Sequence, residues 1–265
     1  MSHIVFRIEV IVMLVAMGVY EVKSESSWQT NLLLNVKCMN LSGQTTNEFA
    51  VNEPVWFSVE LINNSPASVS VWVDGDKNRG ITCRPAKVHG VNPKLIYQRF
   101  ALERVLRKTV LAPRDRLRTD VPLGDFIKIQ DAGALHVVFG MQVEDASGAS
   151  ILLKETVPLQ FVDGLSAQGV VSLVACLQQQ FDSGDENMRI RMVRSCSSLP
   201  ASEVLGFLAK ALSDNDELVQ LTALDVLSTM NMPRDATMQL LHKAAQSEQE
   251  SVRLRAMDIE RHQRQ

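Results

Sequence analysis

A change of hydrophobic period near Phe161–Gly164 constrains the fold of this chain more than any other feature. Upstream, apolar residues recur at every second position, the spacing of a strand with one face on a core. Downstream they recur at three and four, the spacing of amphipathic helices. Strands followed by helices in this order place two kinds of layer in separate modules. The chain has 265 residues, 46% of them hydrophobic, which is enough for two packed cores.

The first module is expected over 25–163. Leu32, Leu34, Val36 and Cys38 alternate with Leu33, Asn35 and Lys37. Val55, Phe57, Val59 and Leu61 alternate with Trp56, Ser58, Glu60 and Ile62, and Val69, Val71 and Val73 repeat the pattern. Asn63-Asn64-Ser65-Pro66 and Asp74-Gly75-Asp76 are turn chemistry. Two further strands are expected over 134–144 and 151–162, around Ala146-Ser147-Gly148. Short strands with turn signals and no long helical pattern predict an antiparallel β-sandwich. The run from Val51-Asn52-Glu53-Pro54-Val55 to Asn63-Asn64-Ser65 resembles the opening of immunoglobulin-like domains of exported bacterial proteins. Leu111-Ala112-Pro113 and Asp131-Ala132-Gly133-Ala134-Leu135 resemble their later strand openers. The sequence departs from that pattern at Asn52 and Arg114, each standing for Gly, and at Leu135, standing for Tyr. The resemblance implies an immunoglobulin-like sandwich and is nearly silent on function.

The second module is expected over 164–265, with Ser166 placed to cap its first helix. Three windows align, beginning at Met188, Val219 and Val252, with spacings of 31 and 33 residues. Each follows an acidic or polar turn, 182–186, 213–217 and 247–250, and each turn follows an apolar helix, 170–181, 204–212 and 237–245. Pro200 and Pro233 fall near helix starts, where proline is tolerated. The windows resemble the second helices of HEAT repeats, with their D-x-x-x-V-R-x-x-A pattern; Ala223 and Ala256 fit, and Met192 stands for the small residue. One helix pair cannot bury its own face, so about three stacked pairs are expected. The competing architecture is an irregular helical bundle. The fold class read from the sequence is therefore β then α: an immunoglobulin-like sandwich followed by a HEAT-like α-solenoid of about three helix pairs.

The eleven-residue apolar run Val10–Tyr20, behind Arg7, is too short for a membrane span, which needs about 20 residues. It fits the apolar region of a secretory signal over 1–24, cleaved after Gly18 or Ser24. An uncleaved anchor or a core element are the alternatives. Export predicts a periplasmic, envelope-associated or secreted chain, with no transmembrane helix after the signal. In an oxidising compartment Cys38, Cys83, Cys176 and Cys196 are candidates for disulfide pairing, in any of three combinations. The alternative is four small buried hydrophobes.

No catalytic motif, metal-ligand spacing or cofactor loop is present, so the expectation is no cofactor and no metal. The acids around Gly184 read as helix starters rather than a calcium loop. A net charge of −3 excludes a chain that coats nucleic acid. Between Arg99 and Arg118, seven basic residues face two acids. Arg114, Arg116 and Arg118 alternate, so on one strand they would share a face about 7 Å apart and meet an anionic partner. The bland reading is a solvated face, and docking onto the acidic turns of the repeats is a third. Trp56 and Trp72 are expected on outward strand faces, as binding anchors or packed against a loop or the second module. Asn40 and Asn63 head glycosylation sequons. Together these predict a non-catalytic binding or scaffold protein of the cell envelope, with an unidentified protein partner. The rival functions are an enzyme with a site between the modules, for which His136 is the histidine to watch, and a proteinase inhibitor using Arg84–Lys94 as an exposed loop.

Overall fold

The computed structural model describes residues 31–73, 81–95, 107–145, 147–230 and 232–264. The N-terminal apolar run and the cleavage sites read from it lie outside the described residues.

Among the described residues eleven strands form the first module: β1 (Leu32–Met39), β2 (Glu48–Ala50), β3 (Trp56–Asn63), β4 (Val69–Val73), β5 (Ile81–His89), β6 (Lys94–Leu95), β7 (Arg107–Leu111), β8 (Arg116–Pro122), β9 (Ile127–Lys128), β10 (Gly133–Glu144) and β11 (Ser150–Val162). One sheet has the order β1-β3-β8, antiparallel throughout. The other runs β2-β11-β10-β4-β7, and β5 shares the β4 edge of β10. β2 lies parallel to β11, and β6 and β9 form a small separate ladder. This division of sequential strands between two facing sheets is that of an immunoglobulin-like sandwich.

The alternation read from the sequence sets the core. Phe57, Val59 and Leu61 point inward from β3, and Leu135, Val137, Phe139, Met141 and Val143 from β10, all essentially inaccessible to solvent. Phe57 and Phe139 meet edge to face across the sheets, with centroids 4.5 Å apart. The β3 face opposite the core is also covered at its start: Trp56 and Ser58 are buried. That second layer comes from the helices.

Two departures from the family pattern sit where the backbone needs glycine. Asn52 and Arg114 both have φ of 72°, the left-handed region. Arg114 is held there by its turn: its N–H donates to Asn63 O at 2.6 Å, and Asp115 accepts from Ala112 N at 2.9 Å. Asn63 ties this turn to the one after β3. Its Nδ2 donates to Ala67 O, Leu111 O and Ala112 O at 2.9–3.1 Å, and its Oδ1 accepts from Ser65 N and Oγ.

Among the described residues six helices follow: α1 (Ala167–Ser183), α2 (Glu186–Ser195), α3 (Ala201–Ala211), α4 (Glu217–Thr229), α5 (Arg234–Ala244) and α6 (Glu250–Arg264). They form three pairs. Ser166, Asp185 and Asp216 accept backbone N–H groups at the starts of α1, α2 and α4, so the polar and acidic turn residues are helix caps. Pro200 and Pro233 stand at the N-caps of α3 and α5. Ala223 and Ala256 are fully buried where α4 and α6 approach their neighbours, and Met192 fills the equivalent place in α2. None of the six helices is long and apolar enough to cross a membrane.

Candidate functional site

The two modules meet around the start of β3, the end of β8 and the C-terminal half of α2. Trp56 opens β3, and α2 lies over it. Its Nε1–H donates to Ser195 Oγ at 3.0 Å, and the Arg191 guanidinium stacks on its ring with Cζ 4.7 Å from the centroid. Ser195 Oγ in turn donates to Arg191 O. Two ion pairs cross the same junction: Arg191 Nη1 to Asp120 Oδ2 at 3.3 Å, and Arg194 to Asp125. Asp125 closes a 3-10 turn, Leu123–Asp125, which packs on the turn Cys196–Ser198. A Cβ at Gly124 would meet Ser197 Oγ, so a larger residue there would make that hydroxyl turn aside.

Beside these contacts lies an open groove of about 610 Å3. The sandwich contributes Trp56, Arg118, Thr119 and Asp120 to it. The helices contribute Asp185, Asn187, Met188, Ile190, Arg191, Arg194 and Leu218. Met188 is exposed and Leu218 half-buried. The lining thus mixes apolar side chains with arginines whose acidic partners are already inside the groove or next to it. Burial lowers the Arg191 pKa, Asp120 opposes that shift, and Arg118 adds to it. A guanidinium remains charged at neutral pH regardless.

The structure distributes the residues read from the sequence differently from expectation. Arg114, Arg116 and Arg118 do not share one strand face: Arg114 is in the left-handed turn before β8, and only Arg116 and Arg118 lie on β8. Arg116 is 3.6 Å from Glu60 and Arg118 is 3.7 Å from Asp120, both with exposed side chains. Arg118 reaches the groove rim; Arg114 and Arg116 do not line it. Lys108 is paired with Glu144 at 3.0 Å, and Arg99 and Arg104 lie outside the described residues. Docking between modules does use arginines and acids, but with the signs reversed: the acids are on the sandwich and the arginines on α2.

Trp56 is oriented away from the sandwich core yet is 2% exposed, because the helical module covers it. Trp72 lies on β4 opposite Lys108, and its side chain lies outside the described residues. The four cysteines are free thiols, with Cys38, Cys83 and Cys196 buried and Cys176 half-buried, so no pairing is present. Arg84–His89 is not a free loop. It belongs to β5 and is paired along β10, and Lys94 belongs to β6, so of the Arg84–Lys94 segment offered as an inhibitory loop only residues 90–93 lie outside a strand. Asn63 is fully buried with its amide engaged, so it cannot carry a glycan in the folded chain. His136 has Lys87 and Pro158 as lateral partners on β10. Among the described residues no three His, Cys, Asp or Glu converge at metal-binding distance.

Sequence reasoning passed over Arg191, Arg194, Asp120 and Asp125. One signal was available: Arg191 and Arg255 occupy the same register of the first and third repeat windows.

The HEAT-repeat family model matches residues 173–258, from within α1 to within α6. No curated protein sequence matches the chain. Among solved structures, a Bordetella pertussis protein described as ApaA is 12% identical, with 49% of this chain and 93% of that one covered and a TM-score of 0.30. The PapD-like domain 7 of human CEP192 is 10% identical, covering 55% of this chain and 94% of that one, at 0.28. A β-glucosidase from Listeria innocua is 10% identical, covering 50% and 16%, at 0.23. None superposes closely enough to carry an argument about this chain.

Proposed function

We propose that this chain is a non-catalytic binding or scaffold protein of the cell envelope, and that its partner docks in the groove between the sandwich and the first helix pair. A sandwich followed by HEAT repeats is an architecture of interaction surfaces, and stacked helix pairs are commonly used as extended binding faces. The observation that carries the placement is the groove itself: about 610 Å3, lined from both modules, with exposed Met188 beside charged Arg118. Apolar contacts rimmed by charge are the usual composition of a recognition site.

Affinity capture from native envelope extract tests this, with the full chain as bait beside the same chain carrying Arg118→Glu and Met188→Glu. Both residues are exposed, so the variant keeps the fold while reversing the groove's charge and removing its apolar contact. A captured protein that binds the full chain saturably and the variant at least about tenfold more weakly supports the reading. Equal capture by both baits overturns the groove as the site. Capture by neither, at low salt and high bait concentration, overturns a stable protein partner.

Export belongs to the same proposal, on the strength of the short apolar run behind Arg7. The mass of the chain recovered from its native envelope fraction tests it. Loss of the first 18 or 24 residues is the expected result, and an intact chain confined to the cytosolic fraction is the contrary one.

A further inference from the structure

The repeats contain an internal comparison. Arg191 and Arg255 stand at equivalent positions of the first and third second-helices, α2 and α6. In the third repeat the guanidinium is fully engaged. Arg255 Nη1 lies 3.3 Å from Asp258 Oδ2, and Nε and Nη2 lie 3.1 and 2.9 Å from Asp225 Oδ1 on the preceding second helix, α4. Ahead of α2 the sandwich stands in place of such a helix. It supplies Asp120 to Arg191 Nη1 and the Trp56 ring to the guanidinium face. It supplies nothing to the remaining edge: Arg191 Nε and Nη2 are buried with no hydrogen-bond partner among the described residues. Those two nitrogens form the side of a guanidinium that matches a carboxylate in a two-point contact. A buried donor pair left unmade is costly, and native structures fill nearly all such groups.

We infer that the Nε–Nη2 edge of Arg191 receives a side-chain carboxylate of an acidic peptide segment laid in the groove, in the place that Asp225 fills for Arg255. This rests on the groove being the docking site. Of the carboxylates already there, Asp185 Oδ1 caps α2 by accepting Met188 N and Asp125 holds Arg194. Asp120 gives Oδ2 to Arg191 Nη1, and its Oδ1, 3.7 Å from Arg118 Nε, is itself buried with no hydrogen-bond partner among the described residues. Arg118, 63% exposed on the rim, adds a second cation to steer an acidic segment. Met188 and Leu218 offer apolar contact to residues beside the acid. The two nitrogens are closed to solvent in the arrangement seen, so the carboxylate reaches them only as the Arg191 side chain turns that edge into the groove.

The test is an NMR titration of the full chain labelled with 15N, following arginine Nε–H resonances; the Arg191 signal is the one lost in Arg191→Lys, which keeps the charge and removes the two-point edge. The probes are the blocked hexapeptide Ser-Leu-Asp-Glu-Leu-Ser, its Ser-Leu-Asn-Gln-Leu-Ser counterpart, and inorganic phosphate. The expected result is a saturable shift of the Arg191 signal with the acidic peptide, binding about tenfold weaker for the amide peptide, and weakening of similar size in Arg118→Glu. Arg118→Glu changes an exposed side chain outside the Arg191–Trp56 and Arg194–Asp125 contacts, so with an unchanged unfolding midpoint it remains decisive if Arg191→Lys does not fold. No saturable shift up to about 1 mM peptide, or an equal response to the amide peptide, overturns the inference. A response to phosphate as strong as to the acidic peptide overturns the carboxylate assignment in favour of a general oxyanion site. A natural partner held at unchanged affinity by Arg191→Lys overturns this inference and leaves the binding function standing. A chain that binds the acidic peptide and captures no protein overturns the function and leaves the carboxylate site standing.

Discussion

Asn52 and Arg114 hold the same left-handed backbone with very different tolerance for it. Asn visits that region readily because its short amide bonds locally, whereas Arg does so at a cost. Arg114→Gly is therefore expected to raise stability by about 1 kcal/mol, with Asn52→Gly close to neutral, as read from denaturant midpoints at constant m. Asn63 is the opposite case. It is 0% exposed and its amide serves three carbonyls and Ser65 at once. Asn63→Ala leaves those carbonyls without their donor and is expected to cost about 3 kcal/mol in the same measurement. The thiols give a third residue-level expectation. Burial pushes Cys38 up to about 12 and raises Cys83 and Cys196 as well, with Cys38 adding to the shift at Cys83. A thiol whose pKa is raised in the folded state adds stability that is complete below the unfolded value. That stability is lost as pH climbs from about 8.5 towards the folded value. Alkylation of the native chain near pH 8 should label Cys176 promptly and the other three only on unfolding; prompt labelling of Cys38 or Cys196 would contradict the burial described.

The repeats are joined along one edge by a polar series as well as by their core. Arg189, Gln220 and Arg253 hold the same register in α2, α4 and α6, and each donates to the turn before its own helix: to Gly184 O, to Asp214 O, and to Ser247 O and Glu248 O. Arg189 also pairs with Asp214 of the next turn at 3.1 Å, and Gln220 accepts from Ser247 of the next at 2.9 Å. Successive turns are thus linked at the spacing of the sequence repeat. The small residues Ala223 and Ala256 set how closely the helices approach. Ala223→Leu is expected to cost about 2 kcal/mol by overpacking, and Met192→Ala about 3 kcal/mol by opening a cavity at the equivalent position of α2. Equal tolerance of Leu at position 223 and at exposed Ser228 would contradict the close approach.

At the scale of the whole chain, two separate apolar cores are joined by a junction that is small and specific. Trp56 is buried in it, and the Arg194–Asp125 pair, the Arg191 stack and the Trp56–Ser195 hydrogen bond fix its geometry. If the junction couples the modules, the chain unfolds in one calorimetric transition. Trp56→Ala, removing a buried ring at an expected cost of about 4 kcal/mol, should separate it into two. Trp56→Phe keeps the apolar contact and loses the donor to Ser195, and is expected to leave a single transition at lower temperature. Two transitions in the unaltered chain would show that the modules fold independently.

The sequence by itself determined the order of modules, the inward face of β3, the helix pairs, their capping acids and their repeat, because each follows from local periodicity and turn chemistry. It determined even the two positions where glycine was missed, since Asn52 and Arg114 were visible as departures from a pattern. What covers an outward-facing residue was decided only by the tertiary structure. Trp56 and Trp72 read alike along the chain, and nothing local says that α2 lies over Trp56. Nor does spacing reveal that Arg84–His89 is a paired strand, because β5 finds β10 some fifty residues away. Charge was the least legible: seven basic residues in one stretch drew the eye, while the junction uses Asp120 and Asp125 against Arg191 and Arg194, about 70 residues further on. Coulomb pairing depends on distance in space, and separation along the chain says nothing of that until the fold has closed.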